Sequence, residues 1–383
     1  MPTYLDHNAT TPLDERVLEA MLPFLREGFG NPSSLHGFGR PARDAVEAAR
    51  EQVAALVGAH PSQVVFTGGG TEANNAALKG VAERSGRRRV AVSAVEHASV
   101  LEPAAGLARR GWAVDTLAVD AAGRVRPEAL DGLDADTALV SVMAANNETG
   151  TVQDLAAVSA AAREHGAVVH TDAVQAAGKI ELGFAASGAH LMSLSAHKLY
   201  GPKGVGALVV DKAVDWTPLL QGGGQERGRR AGTENVAAIV GFGRAAELAR
   251  TELAANRQHL EALRGRLLAR LAEALPEAVV LSPEAQRLPN TVMLALPGLD
   301  GETLLMGLDG QGFAVSSGAA CGSAKDEPSH VLAAMGVPEE WAQCSLRVSL
   351  GRGNSEADVD AFVAALKQQA RTLSRMAAAT AWA

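Results

Sequence analysis

Cysteine is almost absent from these 383 residues: Cys321 and Cys344 are the only two. Two thiols exclude a disulfide framework and any zinc or iron-sulfur site built from cysteine alone, so no metal site intrinsic to the chain is expected. They leave room for one reactive thiol. No apolar run approaches the ~18 residues that a spanning helix requires, and the start, MPTYLDHNAT, has neither a cationic stretch nor an apolar core. The expectation is a cytoplasmic protein with no membrane association. Basic runs are short, at residues 87–89 and at Arg227, Arg229 and Arg230, against a net charge of −8. No polyphosphate track results, and nucleic acid is not expected as a direct ligand.

What is present is an ordinary globular composition, 47% apolar and 20% charged, in a chain long enough for two to three domains. From about residue 43 to 210, short β-branched runs alternate with Ala-rich helical stretches. The runs are QVVFTG (63–68), RRVAVSA (88–94), AVDTLAV (113–119), ALVSVMAA (138–145) and VVHTDA (168–173). This alternation predicts an α/β fold with a mostly parallel sheet. HLMSLSA (190–196) and GVGALVV (204–210) are too close for a helical crossover and predict an antiparallel pair, which makes the sheet mixed. A loop, QGGGQERGRRAGT, then leads into a helix-forming stretch over about 234–275, after which a new strand-helix pattern marks a second domain.

Three positions carry chemistry in their own right. Lys198, in SLSAHKLYGPKG, follows an apolar strand and precedes a Gly-Pro turn. A lysine held there and partly desolvated has a lowered pKa and can condense with an aldehyde; a snorkelling surface lysine is the plainer alternative. Asp172 ends the strand VVHTDA, the edge at which open α/β sheets hold ligands. It suits the protonated nitrogen of a pyridine ring, and equally suits a helix N-cap. FTGGGTEANN puts three glycines between a strand and a helix, either a phosphate cradle of backbone N–H groups or a simple turn.

Nine motifs run in order along nearly the whole chain: DHNATTP, GGTEANN, EHASV, NNETG, TDAVQ, SAHKLYGPKG, GGGQERGRRAGT, SSGAACGSA and RVSLGR. In this the sequence resembles the cysteine desulfurases of the NifS and IscS type, in the class V aminotransferase group of pyridoxal phosphate (PLP) enzymes. The resemblance implies PLP fold type I, aspartate aminotransferase-like. A large domain over 12–252 would carry a seven-stranded sheet, and residues 1–11 with 253–383 would form a smaller α/β domain with a catalytic loop at about 316–328. It implies a homodimer acting on L-cysteine and passing sulfur to an acceptor protein such as an iron-sulfur scaffold.

By the same resemblance Lys198 is the Schiff-base lysine, Asp172 partners the pyridine nitrogen, and Gln175 and Asn147 reach the ring oxygen and the substrate side. His97 stacks on the ring, and Gly70, Thr71, Ser195 and His197 hold the phosphate, joined by Thr233 of a second subunit. Arg347 binds the substrate carboxylate, a task that suits a bidentate guanidinium. For His97 and Arg347 the residues alone also fit a satisfied loop histidine and an ion-paired structural arginine. Cys321 is implied as the thiol that takes the sulfur, and as a transient cluster ligand shared with a scaffold. Its setting, SSGAACGSAKDEPSH, is rich in small and polar residues, as a moving arm requires. Ala319 and Gly322 depart from the common family spelling, which is Ser and Thr. Cys344, flanked by apolar residues, is expected to be inert. Other class V chemistry (aminotransfer, selenocysteine lysis) and sulfur donation to tRNA thiolation are the competing expectations. By the same resemblance, a chain that ends soon after RTLSRM is expected to lean toward a NifS-like or generalist role.

Overall fold

The computed structural model describes residues 2–317 and 328–380, with side chains to Met376. Cys321, Ala319 and Gly322 lie outside the described residues. The first strand, β1 (Thr3–Tyr4), belongs to a C-terminal assembly taken up below. The main sheet is built from β2 (Val64–Thr67), β3 (Arg89–Ser93), β4 (Ala113–Leu117), β5 (Thr137–Ser141), β6 (Val168–Asp172), β7 (Leu191–Ser195) and β8 (Gly206–Val210). Their order is β2-β8-β7-β6-β5-β3-β4. Only β8 runs against its neighbours, pairing antiparallel with β2 and β7. The expected mixed pair is therefore present, and the rest of the sheet is parallel.

The central strands are buried along almost their whole length because both faces are covered. Phe66, Met192, Leu194 and Val209 face one core, shared with the helices Glu15–Arg26, Gly39–Leu56, Leu155–Glu164 and Val236–Thr251. Their sequence neighbours Val65, Leu191 and Leu208 face the other, shared with the helices Gly70–Arg84 and Ala98–Ala108. The period of two along each strand thus divides the side chains between two helical layers. Each fully buried Leu or Phe there contributes about 1.5–3 kcal/mol of transfer free energy.

The helix-forming stretch after the arginine-rich loop is two helices, Val236–Thr251 and Leu253–Ala274, which meet at Glu252. In the second, Leu260, Leu263, Leu267 and Leu271 recur every three or four residues and are buried on one face. They pack with Phe362, Val363 and Leu366 of the last helix, Glu356–Thr380, over a small antiparallel sheet. Its strands are β9 (Val279–Val280), β10 (Thr291–Ala295), β12 (Ser316–Ser317) and β13 (Ser345–Ser349), in the order β12-β13-β10-β9. β11 (Phe313–Ala314) pairs in parallel with β1, and Leu5 is buried in this second core. The extreme N-terminus therefore crosses to the C-terminal assembly, and in doing so it passes the C-terminal edge of the main sheet.

Candidate active site

β2, β3, β5, β6 and β7 all point their C-terminal ends at one edge, so the loops that follow them converge. The loop after β2 turns through Gly69, whose φ of +149° and ψ of −179° lie where only glycine is at ease, and enters the helix at Gly70. The N–H groups of that first turn lack intrahelical acceptors by construction. The loop after β3 carries Glu96 and His97; that after β5, Asn146 and Asn147; that after β6, Gln175; and that after β7, His197 and Lys198. They enclose a cavity of about 500 Å³ lined by Gly70, Thr71, His97, Asn147, Asp172, Gln175, His197, Lys198 and Arg347. Ser195 is buried next to it, its Cβ 3.6 Å from where a Cβ on Gly70 would sit. Thr233 is exposed and lies outside the cavity of its own chain.

The Lys198 ammonium donates to the backbone carbonyls of Asn8 (2.5 Å) and Ala9 (2.7 Å), so the DHNATTP segment holds the amine at the cavity wall. Asp172 is buried, with both oxygens engaged. Oδ2 accepts from Asn74 Nδ2 (2.7 Å) and Oδ1 from the Val174 N–H (2.9 Å), which caps a run of turns; no helix starts directly after β6, so the helix N-cap reading is not met. Asn74 gives its other N–H to Ser99 Oγ (2.8 Å). The Ser99 hydroxyl must therefore donate to His97 Nδ1 (2.7 Å), which also accepts the Ser99 N–H (3.1 Å). This chain leaves the His97 ring proton on Nε2. Burial lowers the His97 pKa against the opposing pull of Asp172, so the imidazole is neutral at pH 7. His97 is also the N-cap of its helix, so the satisfied-histidine reading holds locally.

Burial, with help from Lys198 and Lys203, lowers the His197 pKa to about 4. Arg347 pairs with Asp6 (2.7 Å) and donates to the Asn147 carbonyl (3.1 Å), while its Nε has no partner among the described residues. The ion-paired arrangement expected for a structural arginine is thus present, and the same guanidinium lines the cavity. Cys344 is buried and donates to the Trp341 carbonyl (3.4 Å). Burial pushes its thiol pKa up, as suits an inert cysteine.

Several residues of the site had no role assigned from sequence. Asn8 is the hub. Its carbonyl accepts from Lys198 and from Gln175 Nε2 (2.9 Å), and its side chain bonds the Asn147 carbonyl (3.1 Å) and Thr291 (2.9 Å). Asn74 is the shared support of Asp172 and Ser99. Glu96 is fully buried, accepts the Met143 N–H (2.6 Å), and its second oxygen has no hydrogen-bond partner by distance and angle among the described residues. Glu148 accepts from Ser329 (2.5 Å), and His330 Nε2 meets the Glu96 carbonyl (2.9 Å). Both tie the residues that follow segment 318–327 to the cavity rim. The motifs DHNATTP, GGTEANN, EHASV and NNETG already contain four of these residues, and their spacing was the available signal.

A lysine and a buried carboxylate at adjacent strand ends, with a glycine-led helix N-terminus on the same cavity, define a PLP-dependent enzyme of fold type I. The residues fit that cofactor: a ring-sized space, a donor-rich cradle for its phosphate, a carboxylate for its ring nitrogen and an amine for its aldehyde. The chain belongs to the class V aminotransferase family, whose pattern matches residues 3–362. It is 49% identical to a cysteine desulfurase of Bradyrhizobium diazoefficiens, over 95% of this chain and 93% of that protein. It is 44% identical to the cysteine desulfurase IscS of Dictyoglomus turgidum, over 97% and 96%. A solved NifS-like protein superposes with a TM-score of 0.90 at 42% identity, covering 96% of this chain and 99% of that one. Among the described residues no group of His, Cys, Asp or Glu could hold a metal ion, and no helix is long and apolar enough to cross a membrane.

Proposed function

We propose that this protein is a PLP-dependent cysteine desulfurase that removes sulfur from L-cysteine, releases L-alanine and carries the sulfur as a persulfide on Cys321. The observation that carries the reading is the convergence of Lys198, Asp172 and His97 on one cavity in a chain related to cysteine desulfurases over nearly its full length. PLP, when bound, supplies the electron sink that lets an amino acid lose its Cα proton. Asp172, Gln175, Asn147 and His97 hold its ring, and Gly70, Thr71, Ser195 and His197 its phosphate. Lys198 takes the Cα proton and later returns a proton. Arg347 binds the substrate carboxylate beside Asn147.

The Cys321 thiolate attacks the substrate sulfur. An S–S bond forms, the Cβ–S bond breaks with its electron pair left on carbon, and protonation there yields alanine. One cysteine thus becomes one alanine and one persulfide with no external oxidant. Cys321 is four residues beyond Ser317, and four residues span at most about 14 Å. Ser316 lines the cavity and pairs with Arg347 across β12 and β13, which supports reach into the site.

In this reading residues 12–252 act as the large domain and residues 1–11 with 253–383 as the small one, joined at the cavity by Asn8 and Arg347. Thr233 reaches the phosphate from a second copy of the chain, a role suited to its exposure outside its own cavity. The persulfide passes to an acceptor protein, first of all one that assembles iron-sulfur clusters, in a reducing cytoplasmic setting. The test is sulfide and alanine production from L-cysteine with a reductant, beside Cys321→Ser and Lys198→Ala. Equal amounts of both products are expected from the wild type alone. Cys321→Ser should keep the visible band of the bound cofactor and form no persulfide, and Lys198→Ala should lose both band and turnover. A yellow wild-type protein that makes neither product would move the assignment to aminotransfer or selenocysteine lysis.

A further inference from the structure

Lys179 has no task in the chemistry above, yet it is buried directly behind the cavity. It lies four residues after Gln175 in the tight turns that follow β6, where the Lys179 and Ile180 N–H groups both return to the Ala176 carbonyl. That spacing puts the two side chains on one face. Its ammonium donates to Gln175 Oε1 (2.8 Å) and to Asn8 Oδ1 (3.2 Å), both neutral amide oxygens. No carboxylate pairs with it among the described residues. The charged and titratable groups facing it are cations or neutral: Lys198 and Arg347 on the cavity side, and His7 and Arg352 around a small void of about 40 Å³ on the other. An ammonium buried among cations without a counter-ion is costly, unless the anion arrives with what the cavity binds.

We propose that Lys179 is a positioning residue for this site: it turns the Gln175 amide so that nitrogen serves the cavity, and it keeps a positive potential beside an anionic ring oxygen. The inference rests on the PLP reading above. An ammonium has donors only, so whatever faces it must be an acceptor. Gln175 Oε1 is therefore committed to Lys179, and Nε2 has one N–H on the Asn8 carbonyl and one left for the contents of the cavity. Without Lys179 only the Asn8 carbonyl holds the amide against a rotation that would present oxygen to oxygen. Burial, then Lys198 and Arg347, lower the Lys179 pKa to about 7, and a bound anion would raise it again. A donor and a positive charge at the ring oxygen both oppose protonation of the nitrogen that joins the cofactor to Lys198.

The test is a pH titration of the visible absorbance of the holoenzyme for the wild type, Lys179→Met and Lys179→Gln, with bound cofactor and thermal unfolding measured alongside. Lys179→Met should raise the midpoint by about one pH unit. Lys179→Gln, which keeps an N–H on Gln175 Oε1 and loses only the charge, should raise it by less, about half a unit. Midpoints equal to wild type in folded, cofactor-loaded variants would overturn the proposal. If Lys179→Met does not fold, the Lys179→Gln midpoint decides alone, since a purely structural lysine would not move it. A wild type with no titrating band would instead overturn the PLP reading itself.

Discussion

Glu96 shows what burial does to a single side chain beside this site. Burial, only partly offset by the Met143 N–H, pushes its pKa from 4.5 up to about 8. The folded protein therefore keeps the proton through the range in which the unfolded chain loses it. Stability must fall as pH rises from about 4.5 to 8, with the penalty complete above the folded value. Glu96→Gln removes that titration. It should leave the denaturant midpoint nearly unchanged at pH 5 and raise stability at pH 8 by on the order of 1–3 kcal/mol. An equal gain at both pH values would show that the carboxyl is not the titrating group. Lys198 and Asp172 were legible because each ends an apolar run. Asn8, Asn74 and Lys179 were not, because an amide or a buried lysine acquires its task only from partners far away in sequence. Lys198 and the Asn8 carbonyl are 190 positions apart.

At the scale of elements, the proposed phosphate cradle depends on how β2 joins the helix Gly70–Arg84. Gly69 sits in backbone space that costs other residues about 1–3 kcal/mol, and β8 approaches so closely that a Cβ on Gly206 would lie 2.7 Å from the Gly69 carbonyl carbon. Gly69→Ala should re-aim the first-turn N–H groups and weaken PLP retention roughly tenfold, the equivalent of about 1.4 kcal/mol. Dialysis of the holoenzyme with fluorescence detection of released cofactor would measure it, and unchanged retention would count against the cradle. Strand runs, and the antiparallel β7 and β8, were readable because the central sheet is covered on both faces and its strands are short runs rich in apolar and β-branched residues. The break at Glu252 was not readable, because the helical pattern continues on both sides of it.

For the whole molecule, the exposed apolar surface is concentrated near the entry to the helix Gly39–Leu56. Phe29 and Phe38 stack at 5.4 Å, are 77% and 64% exposed, and neighbour Leu35 at 79%. Such a cluster on a single chain calls for a covering surface, and a second copy of the chain suits the homodimer proposed above. Phe29→Asp with Phe38→Asp should convert a dimer to monomers by analytical ultracentrifugation and lower PLP retention, because Thr233 would no longer reach a neighbouring site. A double variant that remains dimeric would place the interface elsewhere.

The sequence by itself determined the succession of strand runs in the first domain, the α/β class, and the positions of the lysine, the carboxylate and the glycine turn, because periodicity and strand ends are local properties. The tertiary structure alone decided that the Asn8 and Ala9 carbonyls hold Lys198, that Asn74 serves Asp172 directly and His97 through Ser99, and that Lys179 stands behind Gln175. Each of these depends on hydrogen-bond geometry between segments with no shared periodicity, and such geometry exists only once the two cores have packed.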